Sequence, residues 1–600
     1  MGLFSISEIT GKAQNAFKRF PITLIWAIIG SIICIVIVGH SSRKLFDEYA
    51  NLVLTLILGI SWLIGTRFLI EQTANPKKWV WLKSLVLILL FVFYWFLPNE
   101  SEMFDSPLSV LRFSLFFIAG HLFVFFAPFL IKWNKEAYWN YLKAIGLSII
   151  RSGFFSGVLY LGLVLALLAI DALFGVRIKG ELFGQLFIFC AGIVNTWIYL
   201  SDFPINIQEH KTIHFNKAIE VFVKYILIPL VILYLVILYA YSFKILIEWE
   251  LPKGWVSYLV TALALLGFLV QVIINPIQKT LKSWTIRIFH PFFYVMLIPL
   301  IALLFVAIFR RMSDYGITEN RYFVIILAIW ILGMSLYLVF FKKKRLIILP
   351  ISLFFMAILS SFGYWGASSV SIRSQLGQFE KVLKTVQSND NRASGAQYEQ
   401  LQSILNYMYD RHTLSKLDPI TNFPMEETFV DTTDGKFYGY PWFDTRRVID
   451  SLGISITDED KESWGQYGKS YNYYMNDYQW QHSYSIGDFD YFASIQLNGY
   501  IEKQIPMGNL SAMYKSSEVA LSFIDNTDST EILLLPLKEK LLDLTKFDSN
   551  IPKEALDELT LDFENERILG KLIFTDLGYN IANDSIKMNH SRAYLFIKQR

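Results

Sequence analysis

Six residues next to three helix boundaries have types suited to recognising a polar or anionic group. Lys253 and Trp255 belong to the turn Pro252-Lys253-Gly254 and the helix start that follows it, while Tyr315, Glu319, Arg321 and Tyr322 share one short block. The turn glycine frees the chain before the helix begins. Glu319 and Arg321 have opposite charges and can form a charge-assisted pair. One reading is a binding site for a lipid headgroup or another substrate at a membrane surface. The other is a tight connection between helices, ringed by interface aromatics, on which a domain docks.

Other constellations are thinner. His121 falls near the middle of an apolar span, where an ionisable group is a proton-relay candidate by default; polar glue between helices would use it equally. Asp171, Gln185 and Asn195 lie in neighbouring spans, and Arg151 and Lys224 are close enough to a span end to snorkel. His210 and His214, with Asp202 and Glu209, have the types of metal ligands but not the His-Glu-x-x-His spacing of a zinc hydrolase, so no metal site and no cofactor are expected. Asp47-Glu48 occupy a short loop where a lipid-linked sugar transferase would place acidic groups. Tyr438 to Asp444 and Tyr471 to Tyr474 are aromatic-rich and suit either glycan or protein contacts or a β-rich core. No nucleophile elbow, P-loop or dinucleotide fingerprint occurs, and no catalytic residue is assigned.

The elements that must carry these residues are mostly membrane helices. Hydrophobic residues are 54% of the 600, charged residues only 18%, against about 25% charged in soluble chains. Spans of the ~20 apolar residues that cross a bilayer are expected at 21–39, 49–70, 80–97, 108–131, 145–173, 181–200, 219–247, 255–275, 292–311, 321–341 and 346–364. The first is too long for a signal-peptide core and is read as an uncleaved anchor. The two cysteines, Cys34 and Cys190, both lie within spans and build no disulfide framework.

Charge divides the chain. Residues 1–365 hold 31 Lys+Arg and 17 Asp+Glu, a net of +14, whereas residues 366–600 hold 23 and 34, a net of −11. The acidic part is unsuited to nucleic acid. With the N-terminus inside, inner segments carry 20 Lys+Arg and outer loops 9, as the positive-inside rule requires. Residues 1–20 then form a cytoplasmic tail, 21–365 the membrane domain and 366–600 an extracytoplasmic domain.

That last region changes texture. Ile372, Leu376, Phe379, Leu383 and Val386 form one stripe of an amphipathic helix over 370–387. A second helix fits 396–411, with Tyr398, Leu401, Ile404, Leu405 and Met408. Strands are expected within 484–498, 518–525, 530–536, 558–564, 570–581 and 585–598. The fold class is therefore a polytopic α-helical membrane protein of about eleven transmembrane helices with a C-terminal soluble α+β domain.

Four segments resemble a known family. They are Arg19-Phe20-Pro21; Leu251-Pro252-Lys253-Gly254-Trp255-Val256-Ser257; Tyr315-Gly316-Ile317-Thr318-Glu319-Asn320-Arg321-Tyr322; and Ser360-Ser361-Phe362-Gly363-Tyr364-Trp365. They are similar to the bacterial integral-membrane family catalogued as domain of unknown function 4153, over most of residues 15–380, with the outer domain resembling Bacteroidetes-type members. The resemblance implies the architecture and a bacterial inner membrane, and it brings no activity. The expected role is non-enzymatic: the outer domain binds or senses an envelope lipid, glycan or protein, and the membrane part anchors it and conducts a signal. A transporter or lipid-handling permease, and an envelope transferase with a lipid-linked donor, are the alternatives. The sequence does not fix the oligomeric state.

Overall fold

The computed structural model describes residues 6–40, 43–97, 107–210, 212–213, 217–248, 255–276, 284–341, 344–431, 442–457, 469–474, 486–498, 504–547, 557–582 and 585–600. The chain divides into two compact units. One comprises residues 1–384 with 400–448, the other residues 385–399 with 449–600. Residues 400–448 thus pack with the helical unit.

The helical unit opens with α1 (Ile6–Arg19), then α2 (Pro21–Gly39), α3 (Arg43–Glu71), α4 (Trp81–Trp95), α5 (Pro107–Phe126) and α6 (Lys135–Phe174). Next come α7 (Gly180–Ile188) and α8 (Asn195–Ser201), joined by a π-helical turn, and α9 (Lys217–Phe222) and α10 (Ile228–Glu248), joined by another. They are followed by α11 (Trp255–Ile274), α12 (Trp284–Tyr315), α13 (Glu319–Phe340) and α14 (Ile348–Ser361). Among the described residues ten helical segments are long and apolar enough to cross a membrane. Helices satisfy their own backbone, which lipid demands. The expected eleventh span, α14, has only 14 residues, or about 21 Å of helix against ~30 Å of hydrocarbon.

Side-chain contacts fix how the helices run. Phe354 of α14 packs on Phe123 and Phe126 near the end of α5, whereas Ala357 meets Leu115 and Ala119 nearer its start, so α14 and α5 are antiparallel. Helix α14 also returns along α13: Trp330 donates to Ser352 Oγ, and Tyr322 approaches Ser360. Helices α3 and α5 come close where Gly65 faces Phe123 and Gly120 faces Ser61 and Trp62, contacts that leave no room for a Cβ. An aromatic cluster of Phe20, Phe68, Tyr141 and Phe203 closes the end where α3 finishes. That end lies opposite the one where α14 finishes and α13 begins. Many large apolar side chains on α4, α6 and α10 point outward, Phe91, Leu165 and Val236 among them. In water such a band would be a liability; here it faces lipid.

Beyond α14 the expected amphipathic helices form as α15 (Ala367–Gln387) and α16 (Gly395–Tyr409). Ile372, Phe379, Leu383 and Val386 of the first stripe are buried, as are all five residues of the second. The strands, in chain order, are β1 (Arg392–Ala393), β2 (Val430–Asp431), β3 (Trp442–Phe443), β4 (Ser455–Ile456), β5 (Lys469–Tyr474), β6 (Tyr491–Gln496), β7 (Ile505–Met507), β8 (Leu510–Lys515), β9 (Ala520–Asp525), β10 (Glu531–Pro536), β11 (Thr560–Glu564), β12 (Ile568–Ala582) and β13 (Ser585–Gln599). Each expected strand segment overlaps one of these, while β1 to β5, β7 and β8 fall outside the expected segments. The second unit holds an antiparallel sheet ordered β10-β9-β8-β7 and a five-stranded sheet ordered β11-β12-β13-β6, with β5 also on β12. Phe523 and Phe563 meet between the two sheets. Tyr471, Tyr473 and Tyr579 stack in the core, and Tyr473 donates to the Leu544 carbonyl. Tyr471 and Tyr473 therefore serve packing, while the Tyr474 side chain and residues 438–441 lie outside the described residues.

Candidate functional site

The block Tyr315 to Tyr322 is a helix stop followed at once by a helix start. Gly316 at φ 69° ends α12 in the left-handed conformation, its N–H bonding the Met312 carbonyl. Glu319 opens α13, where a carboxylate complements the helix dipole. Arg321 reaches back, its Nη1 donating to the carbonyls of Tyr315 and Gly316 at 3.1 and 2.7 Å.

Helices α15 and α16 cover the rest of the turn. Gln375 Nε2 donates to the Tyr315 and Ile317 carbonyls, both at 3.0 Å, and Ser374 Oγ accepts the Ile317 N–H at 2.8 Å. Tyr322 donates to the Trp365 carbonyl at 2.7 Å. Glu319 is only 8% exposed. It accepts Arg411 Nε at 2.9 Å, Arg411 Nη2 at 2.9 Å and the Tyr407 hydroxyl at 2.7 Å. This is the bidentate fork that makes arginine–carboxylate bonds strong. The guanidinium lies 3.7 Å from the Tyr407 ring centroid. Burial pulls the Arg411 guanidinium down, but its bonds to Glu319 outweigh this and leave it above the usual range. Burial, followed by the Glu319 charge, pushes the Tyr407 phenol well above its usual value, so it stays a donor.

The anticipated Glu319–Arg321 pair is not made. Glu319 pairs with Arg411, and Arg321 instead lines a small cavity of about 220 Å³ with Ser257, Tyr258, Arg311, Thr318 and Asn320. Among the described residues neither Arg311 nor Arg321 has a carboxylate partner. Tyr315 is exposed beside this cavity, the Arg321 guanidinium lying 5.6 Å from its ring centroid. Lys253 lies outside the described residues, as does the Trp255 side chain. Sequence spacing could not reveal Arg411, Tyr407 or Gln375, which are far along the chain. The amphipathic stripes were the only signal that something packs there.

The other candidates separate. His121 is on the exposed face of α5, turned away from the bundle interior, with Nδ1 2.8 Å from the Phe117 carbonyl. Asp202 pairs with Arg151, and Glu209 accepts Asn206. His214 is outside the described residues, and among the described residues no group of three metal-ligating side chains gathers. No hydrogen bond or ion pair joins Glu48 to Arg321 among the described residues.

Comparison with known proteins gives kinship without an activity. The chain is 26% identical over 392 residues to Uncharacterized protein PM1469 of Pasteurella multocida (strain Pm70), covering 63% of this chain and 61% of that protein. It therefore spans less than two thirds of that relative's length. No solved structure matches it. Residues 14–404 match the family described as Domain of unknown function (DUF4153), and the chain belongs to that family.

Proposed function

We propose that this integral membrane protein resides in the bacterial inner membrane with its N-terminus in the cytoplasm. Its extracytoplasmic part binds or senses a cell-envelope component, and the helical unit is both anchor and signal conduit. The observation that carries the reading is the clamp of Glu319 by Arg411 and Tyr407. It ties the first turn of a membrane helix to a helix outside the apolar spans, so a displacement of α16 pulls directly on α13. The excess of Lys and Arg on the N-terminal side supports the orientation.

The alternatives find less support. A transporter needs polar groups converging at depth, yet the buried hydroxyls of Ser31, Thr55 and Thr66 bond carbonyls of their own preceding turns. A transferase with a carboxylate in the first loop needs it near the Arg321 cavity; among the described residues Glu48 makes no bond there, and the Asp47 side chain lies outside them.

Two measurements test the proposal. Alkaline phosphatase fused after Arg600 should be active; a fusion active only as a cytosolic reporter overturns the orientation. Purified full-length protein in nanodiscs should co-sediment with cell-wall sacculi or with glycolipid vesicles. Retention by neither removes the sensing role.

A further inference from the structure

A second cleft, of about 1160 Å³, opens at the opposite end of the helical unit, where α1 meets α2 and α3 ends. It is built from cations. Lys12, Lys18 and Arg19 come from α1, Arg67 from α3 and Arg151 from α6, against three carboxylates, Glu71, Asp202 and Glu209. Among the described residues the lining is therefore net positive.

Its geometry is fixed from several sides. Glu71 accepts Arg19 Nε and Nη2 at 3.0 and 2.8 Å and also Arg67 Nε at 2.9 Å. Arg19 Nη1 donates to the Phe203 and Pro204 carbonyls, and its guanidinium lies near the rings of Phe20 and Phe68. Helix α1 is held in place by Trp197, which donates to the Ala13 carbonyl and stacks on Phe17. One carboxylate thus serves two guanidinium groups, and Arg67 uses only its Nε on it. Lys18 is exposed and has no ion pair among the described residues. A smaller cavity of about 250 Å³ adjoins, sharing Arg151, Ile207 and His210 and adding Lys143.

Gathering like charges without enough counter-charge costs free energy unless an anion completes the set. Arginine forks match phosphate oxygens in two-point contacts. The cleft sits where the apolar run of α2 begins, and Ile205 on its wall is 72% exposed. An apolar rim beside a basic ring is the pattern of a surface that meets lipid headgroups. We infer that this cleft binds a phosphate-bearing anion among its Arg67, Lys18 and Arg151 side chains, with Glu71 and Asp202 as the half-buried counter-charges that position the guanidinium groups. The shared chemistry admits two sources, the headgroup of an anionic phospholipid or free phosphate.

Thermal unfolding of the full-length protein in a neutral detergent, with each probe added, separates them. Phosphatidylglycerol should raise the midpoint of the wild type, since a ligand that binds only the folded state stabilises it. Phosphatidylcholine should not. If inorganic phosphate gives the same stabilisation at matched concentration, the source is soluble; if only phosphatidylglycerol does, it is the lipid. In the double variant Lys18→Gln/Arg67→Gln the apparent affinity should fall roughly tenfold or more. Lys244→Gln, an exposed pair elsewhere, should leave it unchanged. Should the double variant unfold, Lys18→Gln alone decides, because that side chain is exposed and has no ion pair among the described residues. No stabilisation by either phosphate probe, or full affinity in the Lys18 variant, overturns the inference.

Discussion

Each end of the helical unit sets a glutamate against arginine, and the two arrangements differ in stoichiometry and access. At one end Glu319 meets a single guanidinium and a phenol, all shielded beneath α15 and α16, with both carboxylate oxygens engaged. At the other, Glu71 is shared by Arg19 and Arg67 on the wall of an open cleft. A closed one-to-one pair is a fastener, because breaking it strands a buried charge. An open one-to-two arrangement leaves positive charge and donor capacity over, which is what a site for an anion requires. The contrast separates a mechanical joint from a binding site by counting partners rather than by counting charges.

The sharpest way to break this comparison is Arg411→Ala. If the fastener reading holds, the stranded Glu319 costs about 3–5 kcal/mol, read as a fall in the unfolding midpoint of the protein in micelles. A loss below about 1 kcal/mol would place the pair with solvent-exposed ion pairs and erase the difference between the ends. The double variant Glu319→Leu/Arg411→Met should recover most of the loss, since a packed apolar pair can replace a buried ionic one. Tyr407→Phe is the next test. It removes one hydrogen bond to a charged acceptor, worth about 1.5–3 kcal/mol, and leaves the arginine fork in place. An unchanged midpoint would mean the phenol is only a bystander.

Gly316→Ala probes the turn itself. At φ 69° a Cβ is strained, and it would approach the Gln378 side chain to 2.8 Å. The expected cost is about 1–2 kcal/mol, together with weaker protease protection of α15, since Gln375 and Ser374 cap that same turn.

These joints were unequally legible in the sequence. The membrane helices announce themselves because lipid permits few alternatives, and the stripes on α15 and α16 fixed which faces would be buried. The residues on those faces that do the joining were hidden. Glu319 offered Arg321 as an obvious neighbour, yet two residues apart on a helix point to different sides, and the true partner, Arg411, lies 92 residues further on, just past α16. Arg19 and Glu71 are separated by an entire hairpin of two spans, and each alone looks like an ordinary charge at a helix end. The strands β7 and β8 were missed for a local reason. Pro506 and Gly508 read as turn residues, while Leu510, Ser511 and Ala512 are buried in succession, which breaks the alternation that marks a strand.

Arg67→Gln should have the smallest effect on the fold and sharpens the comparison most. Its bond to Glu71 is an i,i+4 pair on a partly exposed helix turn, and such pairs contribute about 0.3–0.5 kcal/mol. Arg19 keeps both carboxylate oxygens occupied without it, so the unfolding midpoint without ligand should barely move. If the end at Glu71 were a fastener like the one at Glu319, this substitution would lower the midpoint appreciably, and stability and phosphatidylglycerol binding would fall together. If it is a binding site, binding falls roughly tenfold while stability does not. The two measurements on one variant therefore decide whether the surplus guanidinium holds the protein together or waits for a partner.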